Sequence, residues 1–268
     1  MSGDTRAIGI FDSGMGGLTV MAALKAVLPR EHFVYLGDTA RLPYGSKSTE
    51  TVRRYAIQAA SALSKRDVKL IVIACNTASV SLDAVRSALA PVPVIGVIEP
   101  GAEAALSIAP QGPIAVIATE STVNGGAYAR AIHARAPDAT VTQTACPLLV
   151  PIAEDGLTSG PIAEAIVRRY LDPLLAAHKP KCLLLGCTHY PVLKSVIAQA
   201  AGDSIALVDS AQTTARAVAA LLMERGLAAP QTNPPRDQFL ATDAPQRFAR
   251  NGALFLGSDI AHAELVDL

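Results

Sequence analysis

The chain has 268 residues, half of them hydrophobic and 17% charged, which argues against disorder and for a compact soluble protein, with length for two α/β units and a buried core. Lysine plus arginine and aspartate plus glutamate number 23 each, and no basic run exceeds a few residues, so no nucleic-acid partner is expected. No stretch of about 18 apolar residues suits a membrane span, and MSGDTRAIGIF enters a strand pattern at once without the pattern of a signal peptide. The expectation is a cytoplasmic protein with no membrane contact.

In chain order, the first predicted strand, Ala7–Phe11, opens on DSGMGG, and the second, His32–Gly37, ends on Asp38-Thr39. A helix-period stretch over Ser48–Lys65 leads to a strand at Leu70–Ala74, which stops at Cys75-Asn76-Thr77. A helix over Ser79–Leu89, a strand at Val94–Val97 and a helix over Gly101–Ser107 follow. The pattern then restarts: Ile114–Ala118 opens on TESTVNGG, and strands are predicted at Thr140–Thr144, Cys182–Leu185 and Ala206–Val208, with helices at Ile162–Ala177 and Thr213–Arg225. Ala228–Arg236, with three prolines, reads as a surface loop before a short strand at Gln238–Ala241.

Strands alternating with helices imply parallel sheets covered on both faces. The restart predicts an α/β fold of two pseudo-symmetric doubly wound parallel-sheet lobes with the active site in the cleft between them. Crossings near Ile98–Gly101 and Asp209–Ala211 divide the chain into a first lobe of residues 1–98 plus 210–268 and a second lobe of residues 99–209. Ligands of open parallel sheets bind beyond the carboxyl ends of the strands, where every unusual polar cluster of this sequence falls.

Cys75 and Cys187 each end an apolar run, in KLIVIACNTAS and KCLLLGCTHYP. An isolated cysteine is commonly a packing residue, but the polar residues that follow at once place both thiols at strand exits. A helix starting near Ser79 would lower the Cys75 thiol below its reference pKa of about 8.5 through its N-terminal dipole. His189 stands two residues after Cys187 as a proton partner, whereas Cys146 and Cys182 lack such neighbours and read as packing residues. With neither CxxC nor a zinc-type Cys/His ladder, no metal and no disulfide are expected. DSGMGG lacks the spacing of GxGxxG and the GK[ST] of a phosphate loop. Its alternatives are a ligand-facing Asp12 with glycines that admit close approach, or a tight turn with Asp12 capping a helix. A hydrolase-type Cys187/His189 nucleophile is a further reading, though residues two apart on a loop seldom form a well-oriented pair. Two equivalent thiols on opposite walls suit a reaction with two faces, one removing a proton and the other delivering one.

DSGMGG, PYG at Pro43–Gly45, ACNTAS at Ala74–Ser79 and GCTHYP at Gly186–Pro191 together resemble the glutamate racemases of the aspartate/glutamate racemase family, in order and spacing. The likeness extends through CPLLVPIAEDG at Cys146–Gly156 to FLATDAPQRFARNGALFLG at Phe239–Gly257, with small departures at Asn124-Gly125-Gly126 and near Pro234. It implies a cofactor-independent isomerase that interconverts L- and D-glutamate for peptidoglycan, and hence for cell wall biogenesis and cell shape. It also implies a homodimer.

On the matching positions the resemblance implies that Cys75 acts at the face exposed in D-glutamate and Cys187 at that exposed in L-glutamate. Asp12 and His189 assist the thiols, with Glu154 near His189, and Asp12, Ser13, Tyr44, Gly45, Asn76, Thr77, Thr119, Thr122, Thr188 and His189 form the substrate-binding set. No lysine sits in a motif for a pyridoxal Schiff base, so the thiols are left to transfer the proton. The same scaffold acting on aspartate or another amino acid, or a two-lobed binding protein without catalysis, are the alternatives.

Overall fold

The computed structural model describes residues 3–230 and 236–268. Part of the proline-rich loop expected at Ala228–Arg236, residues 231–235, lies outside the described residues. In β1 (Ile8–Asp12) successive side chains leave the sheet on opposite faces, so Ile10 joins one apolar cluster and Phe11 another. With both faces covered, all of β1 is buried, and it reads as an apolar run rather than an alternation.

The chain proceeds through α1 (Leu18–Val27), β2 (Phe33–Gly37), α2 (Thr49–Ser64), β3 (Leu70–Ile73), α3 (Asn76–Ser79), α4 (Leu82–Leu89) and β4 (Val94–Gly96). A second run follows: α5 (Ile98–Ile108), β5 (Ile114–Ala118), α6 (Glu120–Gly125), α7 (Ala127–His133), β6 (Val141–Ala145), α8 (Leu149–Glu154), α9 (Gly160–His178), β7 (Cys182–Gly186), α10 (Lys194–Ala201) and β8 (Ala206–Asp209). The chain ends with α11 (Ser210–Glu224), β9 (Gln238–Ala241), α12 (Pro245–Leu256) and β10 (Glu264–Leu265).

The two sheets repeat one topology. The first has the order β10-β9-β2-β1-β3-β4 and the second β6-β5-β7-β8, so β2-β1-β3-β4 and β6-β5-β7-β8 are the same winding built twice. Every pairing is parallel, as the alternation requires. In each sheet the winding reverses between its first and third strands, which opens a crevice at their carboxyl ends. One apolar cluster runs from a face of the first sheet through α1, α5 and α11 into the second, while α2 and α4 cover the opposite face of the first sheet.

Some boundaries differ from the sequence reading for physical reasons. The helix expected from Gly101 starts at Ile98, because Pro100 lies in the first turn, where a missing N–H costs no intrahelical bond. The helix expected from Ser79 is two pieces, since the Ser79 hydroxyl donates to the Ile73 carbonyl at 3.1 Å and accepts from Val97 N–H at 3.3 Å, holding that residue against the sheet. The return of the chain after α11 is fastened by buried Lys69, whose Nζ donates to the carbonyls of Asp4 and Leu227 at 2.8 Å each and pairs with Glu31 at 2.6 Å.

Candidate active site

The third strand of each winding delivers a cysteine to its tip: Cys75 after β3 and Cys187 after β7. Both line one cavity of about 290 Å³ between the carboxyl ends of the two sheets. Ser13, Tyr44, Gly45, Asn76, Thr77, Thr119, Glu154, Thr188 and His189 line it as well, so most of the residues expected to meet do meet. Asp12 and Thr122 do not; both are fully buried one layer behind the wall.

The tips exchange contacts in a reciprocal way. Asp12, at the end of β1, accepts from Gly14 N–H at 3.0 Å and from the Thr188 hydroxyl at 3.4 Å, which ties it to the Cys187 loop. Thr119, at the end of β5, shares a hydroxyl cluster with Thr77 and Thr122 at 3.0–3.2 Å, which ties it to the Cys75 loop. The first strand of each sheet thus braces the thiol loop of the other.

Close approach explains part of the glycine motif. A Cβ at Gly16 would lie 2.4 Å from His189 Nδ1 and 2.6 Å from Thr188 Oγ1, so only glycine lets α1 begin against the Cys187 loop.

The two thiols have unlike company. Cys75 Sγ donates to the Ser13 hydroxyl at 3.7 Å and accepts from Ala78 N–H at 3.4 Å, because the helix begins at Asn76 with Cys75 as its cap. The expected lowering of its pKa is overturned: burial pushes the thiol up to about 12, the Asp12 carboxylate adds to the rise, and Ala78 N–H and Ser13 offset only part of it. Cys187 Sγ instead lies 3.7 Å from His189 Nδ1, so residues two apart do pair, because the loop turns back after β7. The second ring nitrogen of His189, Nε2, is 3.1 Å from Glu154 Oε1, and the ring stands edge-on to Phe255. Burial disfavours a charged imidazole, but hydrogen bonds to Cys187 and Glu154 outweigh it and raise His189 to about 10. His189 in turn holds the Glu154 carboxyl below its ordinary value against the opposing effect of burial.

Tyr44 lines the wall, but its hydroxyl is bonded to buried Asp38, which also takes Arg41 Nε at 2.7 Å and the Thr242 hydroxyl at 2.9 Å. Its phenol is therefore committed to the wall. Sequence reasoning passed over Leu42, Ser46, Glu120, Pro147, Val150 and Pro151, which also line the cavity. The apolar ones carry no chemical signature distinct from core residues. No lysine or arginine lines the cavity among the described residues, so the one cationic group on its wall is the His189 imidazolium, set among neutral donors and the carboxylates of Glu120 and Glu154. Cys146 and Cys182 are packed in the core, and burial raises both to about 12.

Two parallel sheets of one winding, with a cysteine from each at a shared cleft, make a two-sheet α/β protein with a paired-thiol cavity. The chain belongs to the Asp/Glu/Hydantoin racemase family, whose model matches residues 10–218. It is 47% identical to the glutamate racemase of Geobacter metallireducens over 264 residues, covering 98% of this chain and 97% of the relative. Among solved structures it is similar to glutamate racemase from Francisella tularensis in complex with D-glutamate, at 38% identity with a TM-score of 0.92 and 98% of each chain covered. Glutamate racemase isoform RacE1 from Bacillus anthracis matches at 35% identity and a TM-score of 0.93, again over 98% of each chain.

Proposed function

We propose that the protein is a glutamate racemase that moves the α-proton between its two thiols. The observation that carries this reading is the placement of Cys75 and Cys187 at equivalent strand exits on one cavity, in a chain whose relatives are glutamate racemases. Starting from L-glutamate, the Cys187 thiolate takes the α-proton and the Cys75 thiol donates its own to the opposite face of the planar carbanion. The product is D-glutamate, and the thiolate has moved from Cys187 to Cys75. The reverse direction exchanges the roles. The raised pKa of Cys75 supports its standing as a protonated acid at neutral pH.

The α-proton is far less acidic than a thiol, so the carbanion needs donors preorganised around the carboxylate. Ser13, Asn76, Thr77, Thr119 and Thr188 are neutral side chains on the cavity wall suited to that role, with the backbone of Tyr44 and Gly45. Asp12 and Thr122 act from behind the wall, through Thr188 and the threonine cluster. Glu154 orients His189, and His189 serves Cys187. The absence of a cavity lysine among the described residues supports proton transfer without a Schiff base.

The same reading divides the chain into a lobe of residues 1–98 with 210–268 and a lobe of residues 99–209, supported by the partition of strands between the sheets. It assigns the product to peptidoglycan biosynthesis in the cytoplasm, and the enzyme to a homodimer, on the strength of the family likeness. Among the described residues no helix is long and apolar enough to cross a membrane.

The test is incubation of purified protein with L-glutamate in D2O, following optical rotation and α-deuterium together. Loss of rotation with deuterium appearing first in the D-product supports two bases. Bound glutamate with neither signal sinks the reading, and a faster turnover of aspartate reassigns the substrate.

A further inference from the structure

Tyr128, on α7, is fully buried and does not line the cavity, yet its hydroxyl donates to Asn76 Oδ1 at 2.6 Å. Its ring has little freedom. A Cβ at Gly186, just before Cys187, would lie 3.0 Å from Tyr128 Cε2, and one at Gly101, in α5, would lie 3.2 Å from Cε1. The phenol makes no other hydrogen bond among the described residues, and burial raises its pKa, so it stays a donor. Asn76 does line the cavity, and its Nδ2 is buried without a partner among the described residues.

An asparagine amide can present either branch to a ligand, and which one it presents is decided by its other partners. Were the Asn76 amide reversed, the Tyr128 proton would lose its only acceptor inside the core, a state that folded proteins avoid. Oδ1 is therefore held on the protein side, and the two N–H donors of Nδ2 are left for the ligand.

We infer that Tyr128 is a positioning residue that fixes the Asn76 amide, making Asn76 an obligate donor and the cavity selective for a ligand acceptor oxygen, such as one of a carboxylate, over a ligand donor at that point. This rests on the reading of the cavity as a glutamate site. It also joins the two thiol loops, since the phenol reaches the Cys75 side while its ring rests on the strand that carries Cys187.

A double-mutant cycle on the whole protein tests it, read both as kcat/KM for glutamate and as the Kd of D-glutamate by calorimetry. Tyr128→Phe keeps the ring and its packing, and is expected to lower kcat/KM and weaken binding about tenfold, the scale of one hydrogen bond. Asn76→Ala is expected to lose at least as much, and Tyr128→Phe added to it should change neither quantity by more than about twofold, since residues acting through one contact are not additive. Asn76→Asp, which keeps an acceptor for the phenol but offers no N–H, should lose as much as Asn76→Ala. Independent losses that multiply, or an Asn76→Asp protein that binds D-glutamate as wild type does, would overturn the inference while leaving the racemase reading intact. A wild-type protein that neither binds nor racemises glutamate would overturn both.

Discussion

His189 Nε2 lies 3.1 Å from Glu154 Oε1, joining the loop after β7 to the last residue of α8. The carboxylate is one reason a buried imidazole remains charged beside Cys187. Glu154→Gln keeps the hydrogen-bonding shape and removes the charge. It should lower kcat from L-glutamate about tenfold and move the alkaline limb of its pH profile to lower pH, as measured by initial rates from pH 6 to 10. An unmoved limb would take Glu154 out of the proton chemistry.

Replacing either thiol with an alcohol removes an acid that can work near neutrality. Cys75→Ser and Cys187→Ser should each lower racemisation by about 10²- to 10⁴-fold. Near-full turnover in one of them removes that cysteine from the mechanism.

Gly16→Ala asks the Cys187 loop to move, because the new methyl would overlap His189 Nδ1 and Thr188 Oγ1. A displacement of that size should reduce kcat by about 100-fold in a protein that still folds. Circular dichroism alongside kinetics separates a shifted site from a lost fold.

Thr122 is fully buried, and its hydroxyl meets those of Thr77 and Thr119. Thr122→Val leaves those hydroxyls with one partner fewer at almost constant volume. It should cost about 1–3 kcal/mol in urea unfolding. A variant as stable as wild type would show that water replaces the lost partner.

His189 also links stability to pH. Its folded pKa of about 10 lies above the ordinary imidazole value of 6.5, so the folded chain holds that proton more tightly than the unfolded one. This stabilisation is complete below about pH 6.5 and is lost as pH rises towards about 10. The urea midpoint should fall between about pH 7 and 8, before the buried thiols of Cys75, Cys146 and Cys182, which ionise near 9 once unfolded, add their own loss, and it should fall less in His189→Asn. An equal fall in both proteins assigns the pH dependence to other groups.

The strand tips were legible because polar residues break apolar runs abruptly: Cys75-Asn76-Thr77 and Cys187-Thr188-His189 stand out against LIVIA and LLLG. Repetition of the pattern also disclosed two sheets. What stayed hidden was whatever looks the same in a core as in a cavity wall. Leu42, Pro147, Val150 and Pro151 face the cavity, yet their apolar character fits packing equally well. Tyr128 was silent because its role depends on a contact across the chain. The pKa of Cys75 was misjudged because the sequence showed the following helix but not the depth of burial that outweighs it. The short last strand, β10, carries too few residues for any periodicity to register.

The backbone repeats itself around the cavity, but the chemistry does not: Cys75 is met by a serine and a peptide N–H, Cys187 by an imidazolium. Mirror-image substrates have equal free energy in water, so a racemase must leave their equilibrium at one to one. The ratio kcat/KM is therefore bound to be identical in the two directions, whatever the two walls are made of. The imbalance between them can surface only as paired differences in kcat and KM, the enantiomer that turns over faster being the one held more loosely. Every variant that alters one wall alone must obey the same equality.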